Sequence, residues 1–467
     1  MWTSFQDLGA LVLPLTATAS SIFAGWIILR FLWRTYQLSP IPQPESSSLL
    51  FGNLYDTLSS VAQWHESGTY PEPFLSYVKR FGNAVRCREV LGYSVMFTDP
   101  KAIQYLFSTN GNNYHRTGFI ENYLAERYHI KGADQLVHCI FRFDIASNWL
   151  GRLWIQLEDH PEAREAYQMI QQELSPLTIL GLALIPGFVN LPIPAYIRRR
   201  KAQAILRRVV NEVTEQKLAQ KTTDDKPKDL LDLILPNSTT QEAIIHTMTF
   251  LSAGHETSSA GLSWIFATIC DRPDVIQRIR QEYKNVIAKH GSLSTWEALS
   301  QLTYTMAVIQ ETLRLNGVTH TLLPRIPIKD DHVPMLDGSS VFIPAGTTVA
   351  DNLAALHRHP KHWTNVDAFI PERFLEGTPE WDADLKLHDG KPHAFYYIPF
   401  SIGSTNCIGQ RFALAEIQVI VATIVSKFDI KLTPAADLRH KHNGTTLTPV
   451  KLEVTIQISE GGALPAA

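Results

Sequence analysis

No proline interrupts the chain between Pro236 and Pro273, and the stretch from Thr240 to Cys270 reads as one helix. At 1.5 Å per residue such a helix is about 45 Å long, the width of a whole domain. Thr239 with Glu242 fits a capping box at its start, and Arg272-Pro273 stops it. A rod of this length needs a large body packed around it. A chain of 467 residues, 45% of them hydrophobic, can supply one. Most of the sequence from there to Asn316 also reads as helix. Short strands, many prolines and loops follow as far as Cys407. Upstream, Val85–Cys87 and Tyr93–Thr98 read as paired strands around Gly92, ending at Asp99-Pro100. Residues 161–208 read as helices broken by Pro176, Pro186, Pro192 and Pro194, and Lys221–Asp229 as a charged loop. The expected class is mainly α with a small β portion.

Charge and motif content remove several function classes. With 42 Lys+Arg against 45 Asp+Glu the net charge is −3, so nothing favours a nucleic-acid partner. The four cysteines (Cys87, Cys139, Cys270, Cys407) are far apart and never form CxxC. A disulfide scaffold and a cysteine-rich zinc site are therefore disfavoured, and a reducing compartment is expected. There is no GxGxxG, no P-loop and no GxSxG elbow. His255-Glu256 begins an HExxH pattern, but position 259 is Ser, so a zinc hydrolase would lack its second histidine.

The N-terminal end carries a membrane signal. Leu8 to Leu29 contains no charge, and as a helix it would span about 33 Å, enough for a bilayer core. Arg30 and Arg34 follow it, which by the positive-inside rule places the rest of the chain on the cytoplasmic side. A cleaved secretory signal peptide is the competing reading. Pro40, Pro42 and Pro44 then make a stiff, extended spacer. The expected division is an anchor over 1–34, a proline-rich spacer over 35–46 and one folded body over 47–467. Arg198–Lys201 is a run of four basic residues, read either as a solvated helix face or as a membrane or partner contact.

The most informative stretch is Phe400-Ser401-Ile402-Gly403-Ser404-Thr405-Asn406-Cys407-Ile408-Gly409, which runs straight into the helix-like Gln410–Val425. A loop entering a helix N-terminus presents backbone N–H groups that favour a thiolate. Its glycines let the backbone approach a flat partner closely. A thiolate so held suits the axial position of haem iron. The competing reading is a buried structural cysteine.

This loop resembles the haem-binding signature of the cytochrome P450 (haem-thiolate monooxygenase) family. The resemblance runs from about Thr240 to Val450, and more loosely from Pro42 to Arg116. It implies the cytochrome P450 fold behind an N-terminal transmembrane helix. Cys407 would be the metal ligand, Phe400 the aromatic beneath the haem, and Gly403 and Gly409 parts of the cofactor loop. Ala253-Gly254-His255-Glu256-Thr257, in the middle of the long helix, is similar to the family's oxygen-activating segment. The helix is expected to open there, with Thr257 and Glu256 relaying protons. Taken locally, a threonine bonded back to its own helix competes with that role. Glu311-Thr312-Leu313-Arg314 with Pro371-Glu372-Arg373-Phe374 resembles the family's Glu–Arg–Arg network, which makes Glu311, Arg314 and Arg373 structural rather than catalytic. Arg325 matches a position that pairs with a haem propionate. Phe250, Ala253, Leu322, Leu323 and Leu447 fall where the family's substrate pocket lies.

Two departures stand out. Asn113-Tyr114-His115-Arg116 and Leu136–Asn148 resemble segments that lie much farther apart in ordinary members, so about 60 residues are missing between them. No W-x-x-x-R pattern follows Arg116, where the family's helix with that pattern would lie: Trp149 is followed four places later by Leu153. The basic residue usual two places before the cysteine is Thr405. With few cationic partners a haem dianion binds less tightly. Arg325, His115 and Arg116 are the candidate substitutes.

The resemblance implies a membrane-anchored monooxygenase that oxidises an apolar small molecule. Its cofactors would be haem and NADPH, the latter through a separate NADPH–cytochrome P450 reductase. The pattern is similar to microsomal fungal members, which implies the endoplasmic reticulum membrane, a single pass and secondary metabolism such as terpenoid oxidation. The alternative is a non-catalytic or impaired relative acting as a membrane-bound binding protein. An oxygen-independent rearrangement enzyme of the same family is disfavoured by Thr257.

Overall fold

The computed structural model describes residues 21–22, 25–46, 48, 52–53, 70, 72–89, 92–116, 161–170, 181, 188, 191–220, 234–442 and 446–459. In chain order the main elements are α1 (Phe74–Phe81), β1 (Ala84–Glu89), β2 (Gly92–Phe97), β3 (Tyr114–Arg116), α2 (Pro161–Ile170), α3 (Pro194–Gln220) and α4 (Thr240–Ile269). They are followed by α5 (Pro273–His290), α6 (Thr303–Leu315), β4 (Arg325–Pro327), β5 (Asp331–Pro334), β6 (Ser340–Ile343) and β7 (Thr348–Asp351). The last elements are α7 (Gln410–Lys427), β8 (Phe428–Leu432), β9 (Asp437–His442), β10 (Leu447–Lys451) and β11 (Val454–Ile458). The mainly helical class with a small sheet portion matches this order.

The long helix is where the sequence placed it, with 30 residues in α4. Its start is a reciprocal capping box: Glu242 N–H donates to Thr239 Oγ1 at 3.3 Å, and Thr239 N–H donates to Glu242 Oε2 at 2.8 Å. Pro273 opens α5 where its missing N–H costs nothing, and Gly291 closes it in the left-handed region. The main core forms where α4, α5, α6 and α7 meet, through Ile265, Ile279, Val308, Ile309, Ile417 and Val421. Beside Gly261, Ile417 of α7 and Val318 stand 3.5 and 3.7 Å from where a Cβ would lie, at ordinary van der Waals contact. Helix α4 is thus gripped directly by the helix that follows the cysteine loop.

The expected strand pair is present, with β1 and β2 antiparallel from Ala84 opposite Phe97 to Glu89 opposite Gly92. They open a five-stranded sheet in the order β1-β2-β7-β4-β3. Within it only the β2–β7 pairing is parallel, so a long connection must return the chain to the sheet. Strand β3 pairs with β4 and sets Arg116 opposite Arg325. Strands β5 and β6 form a separate hairpin.

Among the described residues no helix is long and apolar enough to cross a membrane, and most of the expected span, from Leu8 to Leu29, lies outside them. A helical segment over 25–37 exposes Trp26, Leu29, Trp33 and Tyr36. Its end is fastened to the body: Phe31 stacks on Tyr93 at 5.5 Å, and Arg34 donates to Thr347 Oγ1 at 2.8 Å. Leu38 and Ile41 of the proline-rich stretch are buried in the core beside the sheet. The expected loop at Lys221–Asp229 and the shortfall between Arg116 and Leu136 lie outside the described residues.

Candidate active site at the cysteine loop

The loop is closed by its own backbone. Cys407 N–H donates to the Phe400 carbonyl at 2.8 Å and Asn406 N–H to the Gly403 carbonyl at 3.2 Å. Phe400 packs on the main core, which fixes one end, and α7 starts at Gln410 and fixes the other. Gly403 has φ 77°, and a Cβ there would fall on the carbonyl of Phe107 and 2.8 Å from Ser108 Cα. Both constraints favour glycine alone. Gly403→Ala is expected to lower stability by about 2–3 kcal/mol, through left-handed strain and overpacking against backbone that cannot yield. Chemical denaturation measures this, and a loss below about 0.5 kcal/mol contradicts the close approach.

Cys407 carries a free, exposed thiol. The surrounding protein raises its pKa, and the N–H groups of Gly409 and Gln410 lower it by a smaller amount. The N–H groups at the helix start do favour the thiolate as expected, but burial outweighs them. Two N–H dipoles only partly offset the desolvation of a charge at this position. A coordinated cation is what reverses the sign.

The cationic side of the site is built from the sheet. Arg325 is buried on β4, its Nη2 donates to Thr405 Oγ1 at 2.7 Å, and its guanidinium lies 5.3 Å from the Phe107 ring centroid. The hydroxyl at 405 thus receives an arginine where a basic side chain was expected. Arg116 stands directly opposite Arg325 in the ladder, a pairing of like charges that disfavours the sheet unless an anion lies near. His115 turns to its own loop, with Nε2 3.2 Å from the Asn112 carbonyl. A haem needs a sulfur ligand in the open, a backbone that approaches closely and cations for two carboxylates. Cys407, the glycine-bearing loop and the Arg116–Arg325 pair fit those needs.

The central helix runs unbroken through Ala253–Thr257, the segment expected to activate oxygen. The expected opening near Gly254 is not seen, because α4 runs continuously from Thr240 to Ile269. Thr257 Oγ1 instead donates to the Ala253 carbonyl at 2.7 Å, the back-bond that competes in such sequences. Ala253, Gly254 and Thr257 are exposed, and a Cβ at Gly254 would meet nothing within 4 Å. Glu256 is buried on another face, where Thr446 Oγ1 donates to its Oε1 at 3.3 Å. The pair expected to form a relay therefore points in two directions. Ser258 next to it bonds the Glu416 carboxyl of α7, an inter-helix link with no sequence signal.

The structural network is assembled and larger than expected. Glu311 accepts from Arg314 Nε at 2.7 Å, from Arg314 Nη2 at 2.9 Å and from Arg373 Nε at 3.0 Å. Arg373 also pairs with Asp384. All four side chains are fully buried. Arg314 Nη1 reaches the His357 carbonyl at 2.9 Å, and His357 Nε2 accepts from Ile398 N–H at 3.1 Å. That chain of bonds ends two residues before Phe400, so the network does hold the cysteine loop. Asp384 and His357 were missed because neither lies at a helical spacing from its partner.

The expected pocket residues separate. Ala253 and Leu323 are exposed. Leu322 joins the core beside the sheet, Leu447 is fully buried with Phe74 and Val85, and Phe250 packs on Ile234 and Ala243.

Comparison with known proteins agrees with this geometry. The sequence model of a family described as Cytochrome P450 matches residues 134–456. Human "Cytochrome P450 4Z1" is 38% identical over 230 residues, covering 48% of this chain and 42% of that protein. Mouse "Cytochrome P450 4A10" is 35% identical over 186 residues, covering 40% and 33%. Rabbit "Cytochrome P450 3A6" is 35% identical over 191 residues, covering 41% and 35%. The matched region spans less than half the length of these curated relatives.

Proposed function

We propose that this chain, which belongs to the cytochrome P450 family, is a haem-thiolate monooxygenase that oxidises an apolar small molecule at Cys407. The observation that carries the reading is the closed loop presenting an open thiol beside Arg325, whose guanidinium reaches Thr405. Bound haem would supply an iron that activates O2, with the sulfur donating electron density to it. The chain's own residues have narrower tasks. Cys407 Sγ would ligate the iron, and Arg325 and Arg116 would be the cations for the two carboxylates in place of the missing basic residue at 405. Gly403 and Gly409 keep side chains away from the ring plane. Thr257 Oγ1, anchored by its own proton on the Ala253 carbonyl, offers lone pairs on the open face of α4 and so positions a proton there. Glu256 supports that face from beneath rather than facing it.

The wider setting follows the sequence. The segment before residue 35 anchors the protein in the endoplasmic reticulum membrane with a single pass, the body facing the cytoplasm. Electrons come from NADPH through a separate reductase. The exposed Trp26, Leu29 and Trp33 beside Arg30 suit a membrane interface. A role in secondary metabolism, of the kind met in fungal members, is the finer reading.

A non-catalytic binding protein is the second reading, favoured by Thr405. One experiment separates them. The full chain is expressed in membranes, reduced and exposed to carbon monoxide. A difference band at the position characteristic of thiolate-ligated haem is expected; its absence, with protein present and folded, leaves the binding reading.

A further inference from the structure

The helical segment over 25–37 has two faces with different neighbours. Phe31, Arg34, Thr35 and Leu38 follow helical spacing along one face and meet the body. Phe31 packs on the core beside the sheet, and Leu38 is fully buried in it. Thr35 Oγ1 lies 3.0 Å from Tyr93 Oη, and Arg86 Nη1 donates to the Thr35 carbonyl at 3.1 Å. Arg34 donates to Thr347 Oγ1 at 2.8 Å and also to the Ala345 carbonyl. Leu29, Leu32, Trp33 and Tyr36 repeat the same spacing on the other face, and all four are exposed. The chain that follows is bonded to the body too: Arg86 N–H donates to the Pro42 carbonyl at 2.9 Å, and Asn53 Nδ2 to the Glu45 carbonyl at 3.0 Å.

Arg34 sets this helix against one edge of the body. The backbone that it grips, at 345–347, is tied in turn to the connection between β4 and β5. Gly346 N–H donates to the Pro327 carbonyl at 2.8 Å, and Ala345 N–H donates to Asp330 Oδ1 at 2.7 Å. Between those two ties lie Ile328, 57% exposed, and Lys329, also exposed. The connection is pinned from behind, because Ile328 N–H donates to the Asn113 carbonyl at 2.9 Å and Lys329 N–H to Asn113 Oδ1 at 3.0 Å. A lone exposed isoleucine is ordinary on a protein surface. This one stands on fixed backbone beside a helix whose outer face is also apolar and open.

We propose that Ile328 and Lys329 of this connection, with Leu32, Trp33 and Tyr36 of the helix, form one edge of the body that rests in the headgroup layer of a phospholipid bilayer. The helix leads back into the uncharged sequence that begins at Leu8, so a span there brings this edge to the lipid. The side chains suit that layer. Tryptophan and tyrosine rings settle where one end is apolar and the other wet, while Arg30 and Lys329 can lay their stems along apolar surface and reach phosphate. Trp26 already carries the Arg30 guanidinium 5.3 Å from its ring centroid. Arg34 and Thr35 make the helix a strut rather than a tether, so the body is held against the bilayer by this edge and does not swing free of it. The inference deepens the proposed single-pass anchor and rests on it for the arrival of the edge at the membrane.

Photocrosslinking tests it. The full-length chain carries p-benzoylphenylalanine in place of Ile328 and is reconstituted at one copy per nanodisc of phosphatidylcholine and phosphatidylserine. Irradiation joins the probe to whatever lies against it, and mass spectrometry identifies the adduct. The comparison site is Ile458, 56% exposed on β11, in a sheet that shares no strand with β4. Lipid adducts at 328 should exceed those at 458 by about fivefold or more, because interfacial side chains sink only about 5–10 Å and a site off the edge stays clear of lipid. Arg34→Ala should lower the lipid yield at 328 and leave that of a probe at Trp33 unchanged. Equal yields at 328 and 458 overturn the docking edge, and so do adducts at 328 made only to a second copy in vesicles holding many chains. A full yield at 328 in Arg34→Ala overturns the strut. Alkaline carbonate extraction keeps the anchor and the edge apart. A chain released by carbonate that still gives lipid adducts at 328 loses the span and keeps the edge; a chain retained without those adducts keeps the span and loses the edge.

Discussion

Replacing Arg373 by alanine is expected to lower the free energy of unfolding by about 3–5 kcal/mol, the usual cost of stripping one partner from a buried ion network. Arg373 sits fully buried between Glu311 and Asp384 and also donates from Nη2 to the Thr364 carbonyl at 3.0 Å. Its removal strands Asp384, which is left with the Thr364 bonds, at 2.7 Å from the backbone N–H and 2.6 Å from the hydroxyl. Glu311 fares better, because Arg314 still grips both its oxygens. The larger share of the loss therefore lies on the Asp384 side. Arg373→Ala combined with Asp384→Ala should recover part of the stability, since it removes the stranded charge. Urea unfolding of the single and double variants measures this. A loss below about 1 kcal/mol for Arg373→Ala would mean that water reaches the network and screens it. Because the bonds run on through Arg314 and His357 to Ile398, the single variant should also loosen the cysteine loop.

Lowering the pH from 7 to 5 is expected to cost several kcal/mol of stability, and the cause is a group of buried neutral histidines. Burial pushes His357 and His362 down to about 3, and His359 and His393 down to about 4. The rings are packed together: His393 stacks on Trp381 at 3.9 Å, His388 on Tyr396 at 3.9 Å, and His362 lies 4.7 Å from Tyr396. Arg314 and Arg373 lie over the neighbouring Trp363, so a further positive charge here would meet cations as well as a dry interior. A histidine held below its unfolded value contributes stability that is present above about 6.5 and lost as pH falls toward its folded value. Each such group loses on the order of 2 kcal/mol at pH 5, and adjacent rings share part of that loss. Asp351, pushed up to about 7 by burial, acts in the opposite sense, as do Glu89, Asp99 and Glu416, whose carboxyls burial also raises; they offset part of the loss. Protonation of His357 has a further effect, because its Nε2 must stay unprotonated to accept from Ile398 N–H. Thermal unfolding at pH 7.5, 6.5, 5.5 and 5.0 tests this, with proton uptake on unfolding read at pH 5.5. An unchanged midpoint over that range would contradict the burial of these rings. His393→Phe should flatten the profile, since it keeps the stack on Trp381 and removes one titrating group.

Local patterns carried well from sequence to structure. The helix at Thr240, its capping box, the strand pair around Gly92 and the stop at Pro273 all rest on contacts within a few residues. The cysteine loop was legible for the same reason: a glycine-bracketed turn into a helix start is a short-range pattern. Glu311 and Arg314 share one helix face, so their pairing could be read from spacing alone. Thr257 shows the limit of such reading, because a hydroxyl in a helix can either bond its own turn or face a ligand. The structure shows the back-bond to Ala253 and an unbroken helix.

What the chain alone determined is the helical class, the long central rod and the single cysteine poised at a helix start, each set by propensity and periodicity. Tertiary structure decided the rest. It set Arg116 against Arg325 across a ladder between strands distant in sequence, turned Glu256 away from Thr257, added Asp384 and His357 to the ion network, and buried Asp351 behind Leu322. These pairings depend on which distant segments meet, and on how little water remains once they do. Neither is encoded in the spacing of neighbouring residues, so neither could be read before the chain was folded.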